Sequence, residues 1–225
     1  MAGDPRRHGR DRARDRQRHA APRLEASVSD AVDDILRVGP AIVLAITVAW
    51  LALATRRTSR EIGRRAYGFG IRQTLARILF AAAVVGGFVS LGLHAAGSAS
   101  ASFAPLAGEA SAVRLAGLAL AVAGQVLTVV ARSEMGRRWR VGIPDEAPDA
   151  LVTTGLFGLS RNPVFLGMLA MASGLAVAVP SPAVIGCALA FWIACEVQVR
   201  DEERFLERSF GPAYTAYRSA VRRWI

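Results

Sequence analysis

Long uncharged stretches separated by arginine-rich segments dominate the pattern of this chain. Val38–Thr55 is an unbroken run of 18 uncharged residues, and a second span is predicted over Ile78–Ala96. A third uncharged run lies between Arg114 and Arg132. About 18 residues, rising about 1.5 Å each, are just long enough to cross roughly 30 Å of hydrocarbon. The pattern therefore predicts membrane-spanning helices.

The last uncharged run is too long for a single crossing. It extends from Arg161 to Glu196, and Pro180-Ser181-Pro182 divides it. We therefore expect two antiparallel spans, the fourth and fifth, that form a helical hairpin. The fold class expected is all-α, a multi-pass membrane protein with about five transmembrane helices.

The C-terminal residues repeat apolar positions at helical spacing. Tyr214, Tyr217, Val221 and Trp224 follow one another at steps of three, four and three, with arginines between them. This spacing predicts a C-terminal amphipathic helix at the membrane surface. Such a helix either closes a site from the cytoplasm or anchors the tail, and the sequence favours neither.

The chain divides by composition into three parts. Residues 1–36 are Arg-rich and predicted to be disordered, residues 37–132 form a three-helix membrane platform, and residues 133–225 hold a loop, the hairpin and the amphipathic helix. The loops after spans one and three and the C-terminal tail are rich in arginine, which predicts that they are cytoplasmic. The Arg-rich N-terminal tail would then lie outside, so a first segment that does not cross is the alternative.

Composition narrows the partners. Of the 225 residues, 52% are hydrophobic, and the net charge is +10 with arginine as the only basic side chain besides histidine. A basic balance is typical of nucleic-acid-binding proteins or of proteins at anionic membranes. The apolar runs favour membrane lipids, and no aromatic-basic RNA motif occurs, so no nucleic-acid partner is expected. The histidines His8, His19 and His94 lack metal-ligand spacing, so no metal site is expected. We expect an integral protein of a bacterial cytoplasmic membrane.

Three charged residues share one face where the fifth span ends. Glu196 follows Pro182 by 14 residues, about 21 Å of helix, so it lies below the expected cytoplasmic interface. An intramembrane carboxylate needs a partner, and Arg200 and Glu203 follow at four and seven residues. These three are candidate catalytic groups. The alternative is a helix end that leaves the bilayer with solvated charges.

The start of the fourth span is the opposite wall of the predicted site. Asn162-Pro163 is a favourable cap and first-turn pair, and a helix N-terminus beside Arg161 suits an anion. Because the hairpin is antiparallel, Arg161 and Asn162 should return next to Glu202 and Glu203. The pocket would accept a ligand with both an acidic and a positive end. The alternative is an ordinary helix start beside an anchoring arginine.

The same residues carry a resemblance to a known family. The chain reads Leu151-Val-Thr-Thr-Gly155-Leu-Phe157, Arg161-Asn-Pro-Val-Phe-Leu-Gly167, Glu202-Glu203 and Phe210-Gly-Pro-Ala-Tyr214-Thr-Ala-Tyr217. In order and spacing this resembles the isoprenylcysteine carboxyl methyltransferase family, which includes membrane phospholipid methyltransferases. The resemblance covers about the last 75 residues, and the first three spans match only in kind.

The resemblance implies a methyltransferase that uses S-adenosylmethionine, with its active site on the cytoplasmic side. The positions that it assigns to the cofactor site are Leu151, Val152, Phe157, Asn162, Pro163, Phe165 and Glu202. We add Gly155, Arg161 and Gly167, which lie in the same two motifs, as further candidates for that site. Phe157 and Phe165 stand where the family has tyrosines, and Asn162 where it commonly has histidine. Gln198 replaces an arginine tied to the substrate, a role that Arg200 could take over.

The acceptor is left open by these residues. The expected partner is a lipophilic or small membrane-soluble methyl acceptor, whose nucleophile is a carboxylate, a thiol or an amine. The alternatives are a membrane reductase with a similar hairpin that uses NADPH, and a non-enzymatic multi-pass membrane protein.

Overall fold

The architecture was analysed in a computed structural model. It describes residues 5–63, 73–98, 100, 102–103, 106, 110–139, 141–142 and 150–225, with residues 5–25 described by their backbone alone. Arginines 64, 65, 72 and 140 of the basic loops lie outside the described residues.

Six α-helices follow one another along the described chain. They are α1 (Pro5–Glu61), α2 (Thr74–Ala95), α3 (Ser111–Met135), α4 (Pro163–Ala178), α5 (Pro182–Phe210) and α6 (Pro212–Ala220). The all-α multi-pass fold is therefore confirmed. α1 continues through the N-terminal segment for which the composition predicts disorder.

Four helices of the described chain are long and apolar enough to cross a membrane. The crossing segments are Ala26–Glu61, Thr74–Ala95, Ser111–Arg138 and Pro182–Phe210. The expected fourth span is α4, an apolar helix of 16 residues that rises only about 24 Å. The hairpin partner of α5 is thus shorter than the roughly 30 Å of a hydrocarbon core.

The helix ends follow directly from the sequence. The Ser181 hydroxyl accepts a hydrogen bond from the Val184 amide at 3.3 Å, and Pro182 occupies the first turn of α5. At the other end, Gly211 adopts a φ of 49°, and Pro212 opens α6. The predicted hairpin turn and the predicted C-terminal helix therefore have ordinary capping causes.

Glycines allow α3 and α4 to approach backbone to backbone. Gly117 and Gly124 on α3 and Gly167 and Gly174 on α4 repeat at seven-residue spacing. A Cβ at Gly174 would lie 2.4 Å from the Ala121 amide nitrogen, and the other three positions are similarly closed. This packing fixes the start of α4 relative to α3.

The Arg132 side chain, between two indole rings, joins α1 to the C-terminal end of α3. The Arg132 guanidinium lies 5.9 Å from the Trp50 ring centroid and 5.8 Å from that of Trp139. It also donates to the Ala54 carbonyl at 2.9 Å. Trp139 in turn packs with Phe157 in one buried cluster. The cluster supports the loop that precedes α4.

Candidate functional site

The loop before α4 is held from α3 by a carboxylate. The Glu134 side chain accepts a hydrogen bond from the Leu156 amide at 2.9 Å. Gly155 adopts a φ of 63°, and a Cβ there would lie 2.7 Å from both Glu134 carboxylate oxygens. Gly155, a candidate residue of the cofactor site, is therefore explained locally by the turn that it makes against Glu134.

Arg161 lies at the centre of an ion-pair network. Its Nη2 is 2.8 Å from Glu203 Oε1, and both side chains are 9% exposed. Arg223 binds the same carboxylate through Nη2 at 2.5 Å, and reaches Glu196 Oε2 at 3.8 Å. The Glu203–Arg223 hydrogen bond raises the pKa of the Arg223 guanidinium. The structure thus joins Arg161 and Glu203, the two ends of the hairpin, as the sequence predicts, but as partners of each other.

The C-terminal residues cover the start of α4. We call residues 217–223 the C-terminal strap. The Arg161 amide donates to the Arg222 carbonyl at 2.9 Å, and Arg161 Nη1 donates to the Arg218 carbonyl at 3.2 Å. The Ser160 hydroxyl and the Asn162 side chain donate to the Arg223 carbonyl at 3.0 and 3.3 Å.

A tyrosine completes the strap. The Tyr217 hydroxyl donates to the Phe157 carbonyl at 2.6 Å. Burial raises the pKa of Tyr217 to about 12, so the hydroxyl stays protonated and remains a donor. The Tyr214 ring packs against it with centroids 6.2 Å apart. Of the two uses that the sequence leaves open for this helix, the contacts are those of a cover over the loop.

The first turn of α4 keeps its backbone donors. Asn162 occupies the N-cap position but makes no side-chain capping hydrogen bond, because its amide group faces the strap instead. The early N–H groups of a helix have no partner within the helix. They form, with the positive end of the helix dipole, a site suited to an anion.

Glu202 points away from this network. Its Oε1 accepts a hydrogen bond from Gln198 Nε2 at 2.8 Å. Gln198 Oε1 in turn accepts from Gln73 Nε2 at 2.9 Å, and both glutamines are 2% exposed. Among the described residues no arginine pairs with Glu202. The hydrogen-bond partner of this carboxylate in the described part of the chain is therefore a neutral amide.

The remaining predicted residues occupy three kinds of position. Leu151, Val152 and Phe165 are half-buried, whereas Phe157 is buried in the cluster with Trp139. Pro163 and Gly167 are buried against α3, where a Cβ on Gly167 would lie 2.6 Å from the Thr128 amide nitrogen.

Of the catalytic candidates, two form a surface pair. The side chain of Arg200 is 60% exposed and lies 3.4 Å from Glu196 Oε2. Their shared helical face was predicted correctly. Sequence reasoning missed Gln73, Glu134, Ser160 and Arg223. Arg223 stands in a basic C-terminal run that resembles ordinary anchoring residues, and Gln73 stands within an arginine-rich loop without a motif.

Comparisons with known proteins find similar sequences for about half of the chain. The sequence profile of the phospholipid methyltransferase family matches residues 113–213. The protein-S-isoprenylcysteine O-methyltransferase of Dictyostelium discoideum is 28% identical over 103 residues, 44% of this chain and 44% of that protein. A probable protein-S-isoprenylcysteine O-methyltransferase of Oryza sativa subsp. indica is 30% identical over 112 residues, 48% of this chain and 59% of that protein.

The family resemblance is confirmed. The chain resembles the isoprenylcysteine and phospholipid methyltransferase family at low identity, over the region that carries the motifs. The chain spans about half the length of the curated relatives it matches. With four apolar helices long enough to cross a membrane, it is an integral membrane protein.

Proposed function

We propose that this protein is a membrane methyltransferase that uses S-adenosylmethionine and transfers its methyl group to a lipophilic or small membrane-soluble acceptor. The observation that carries the proposal is that one hairpin holds both a group of donors suited to an anion and a carboxylate suited to a cation. The uncapped first turn of α4 offers N–H donors, and Glu202 offers a carboxylate that pairs with no cation among the described residues. A methyl donor that carries a carboxylate, an ammonium and a sulfonium group complements both.

The donor site would use residues from both sides of the hairpin. The amides at the start of α4 would bind the donor carboxylate, and Glu202 would bind a positive group. Phe165, which is half-buried, would pack against the adenine ring. S-adenosylmethionine supplies an electrophilic methyl group when bound, and the protein contributes orientation and the exclusion of water. The site would face the cytoplasm.

The charged candidates take different roles in this proposal. Two guanidinium groups stabilise the ionised form of Glu203, which makes it a poor proton acceptor and leaves it to hold the strap. Glu196, whose side chain is 20% exposed and whose contacts with Arg200 and Arg223 are longer, at 3.4 and 3.8 Å, is the candidate base for an amine or hydroxyl acceptor. A carboxylate or thiolate acceptor needs no base.

An apolar cavity supports a lipophilic acceptor. It has a volume of about 100 Å³ and is lined by apolar side chains of α1, α2, α4 and α5. On α5 the lining includes Val184, Ala188 and Phe191. At helical spacing this stripe continues to Gln198 and Glu202. An amphiphile could therefore lie along α5 with its polar end near Glu202.

Calorimetric titration of the purified protein with S-adenosylmethionine tests the proposal. We expect saturable binding that Glu202→Ala abolishes and Glu207→Ala preserves, because Glu207 is an exposed carboxylate on the same helix. Saturable binding of NADPH in place of S-adenosylmethionine would overturn the proposal. A labelled-methyl assay on membrane extract, with the product identified by mass spectrometry, would then identify the acceptor.

A further inference from the structure

A directed chain of hydrogen bonds links α2 to Glu202. Gln73, the residue before α2, donates through Nε2 to Gln198 Oε1, 125 positions along the chain. Gln198 donates through Nε2 to Glu202 Oε1. Side-chain amides this deeply buried are costly unless they are hydrogen-bonded.

The ionised form of Glu202, which the proposed donor requires, fixes the direction of these hydrogen bonds. An ionised carboxylate only accepts hydrogen bonds, so Gln198 must turn its NH₂ group towards Glu202. The Gln198 carbonyl then faces Gln73, and only the NH₂ group of Gln73 can satisfy it. In the reverse sense, Gln73 holds the Gln198 amide in the one orientation that supports an anion.

We propose that Gln73 is a positioning residue for the methyl-donor site. It acts through Gln198 to keep the Glu202 carboxylate ionised and fixed in one orientation for the positive group of the donor. The proposal rests on the function proposed above, because it assigns Glu202 to the donor. It adds a residue of the α2 N-terminus, outside the hairpin, to a site that the motifs confine to the second half of the chain.

A purely structural role is the alternative. The two glutamines lie between helices that also pack through Phe80 and Phe191, whose ring centroids are 5.3 Å apart. If the amides merely join α2 to α5, a near-isosteric change at Gln73 should alter stability and leave donor affinity alone. The direction of the hydrogen bonds distinguishes the two roles.

Reversing the direction of these hydrogen bonds tests the proposal. Gln73→Glu keeps the shape but can only accept, so it would take the Gln198 NH₂ group and turn the Gln198 carbonyl towards Glu202. We expect at least a tenfold loss of S-adenosylmethionine affinity by calorimetry. The added negative charge would attract a cationic donor but would also oppose ionisation of Glu202, so the comparison with an uncharged variant assigns a loss to orientation. Gln73→Met, which removes the hydrogen bond without reversing it, should lose less.

The double variant Gln73→Glu/Glu202→Gln separates stability from positioning. The new side-chain amide at position 202 can donate to the reversed Gln198, so the thermal midpoint should recover towards the wild-type value while donor affinity stays lost. Wild-type binding together with unchanged affinity in Gln73→Glu would overturn this inference alone. Absence of donor binding in the wild-type protein would overturn the proposed function itself, and the positioning role with it.

Discussion

Arg161 and Glu203 form a salt bridge of 2.8 Å between Nη2 and Oε1 across the open end of the hairpin. They lie 42 positions apart, one before α4 and one near the end of α5. The pair therefore closes the hairpin at the end opposite the Pro180-Ser181-Pro182 turn. With both side chains 9% exposed, each charge depends on the other.

A double-mutant cycle on this pair should show strong coupling. Arg161→Met leaves Glu203 with Arg223 alone, and Glu203→Gln leaves two arginines without their carboxylate. Breaking a buried pair costs about 3–5 kcal/mol, and Arg161→Met should lie at the low end because Arg223 remains. The double variant should lose less than the sum of the two single losses, measured by thermal unfolding in detergent. Additive losses would show that the two residues act independently.

The strap should depend on one arginine of its basic run. Arg223 binds Glu203 and Glu196, whereas the Arg222 side chain is exposed and contributes its backbone carbonyl. Arg223→Ala should lower the thermal midpoint by several degrees and weaken donor binding, because the cover over the start of α4 loosens. Arg222→Ala removes the same charge and should change neither. Equal effects of both variants would indicate that net charge matters rather than the contact.

The sequence predicted the fold and the pairing of the hairpin ends well. Hydrophobic runs, proline positions and the Glu196 spacing follow from local chemistry, and the structure places Arg161 beside Glu203 as antiparallel geometry requires. The distribution of arginines along the sequence does not show which arginine pairs with which carboxylate. The sequence therefore leaves Arg161 open to a ligand, whereas in the structure its hydrogen bonds go to Glu203 and to backbone carbonyls of the strap.

Contacts between distant segments were invisible for the same reason. Gln73 meets Gln198 only because α2 packs along α5. Gly167 belongs to a sequence motif, yet a Cβ at this position would collide with Thr128 of α3. A sequence motif shows that a position is constrained, and the packing shows whether a neighbouring helix alone accounts for that constraint.

The close approach of α3 and α4 predicts an asymmetric response to added methyl groups. At Gly174 a Cβ would lie 2.4 Å from the Ala121 amide nitrogen, whereas at Gly186 no atom lies within 4 Å. Gly174→Ala should therefore force the two helices apart. The free energy of unfolding should fall by at least about 1–3 kcal/mol, the usual cost of overpacking. Gly186→Ala, the same change in an open helix position, should be neutral or slightly stabilising. Thermal unfolding in detergent measures both, and equal tolerance would contradict the packing.

The two neighbouring tyrosines of α6 should differ sharply when their hydroxyls are removed. The Tyr217 hydroxyl donates to the Phe157 carbonyl, so Tyr217→Phe should cost about 1 kcal/mol, the usual net value of one hydrogen bond. The buried Tyr214 hydroxyl lies near the Arg161 guanidinium but makes no hydrogen bond of good geometry in the described part of the chain, so Tyr214→Phe should cost less. Thermal unfolding of the two variants at neutral pH makes the comparison, and a larger loss for Tyr214→Phe would contradict the assignment of the strap.

Alkaline pH should reproduce the Tyr217→Phe effect in the wild-type protein. Burial raises the pKa of Tyr217 from 10.0 to about 12, so the protonated form is favoured in the folded state. A raised pKa contributes stability that is fully present below pH 10, the ordinary value, and is lost as the pH rises towards 12. The difference in thermal midpoint between wild type and Tyr217→Phe should therefore be constant at neutral pH and shrink above pH 10. A difference that grows over this range would mean that the folded state favours the phenolate, and that the hydroxyl is not the donor to Phe157.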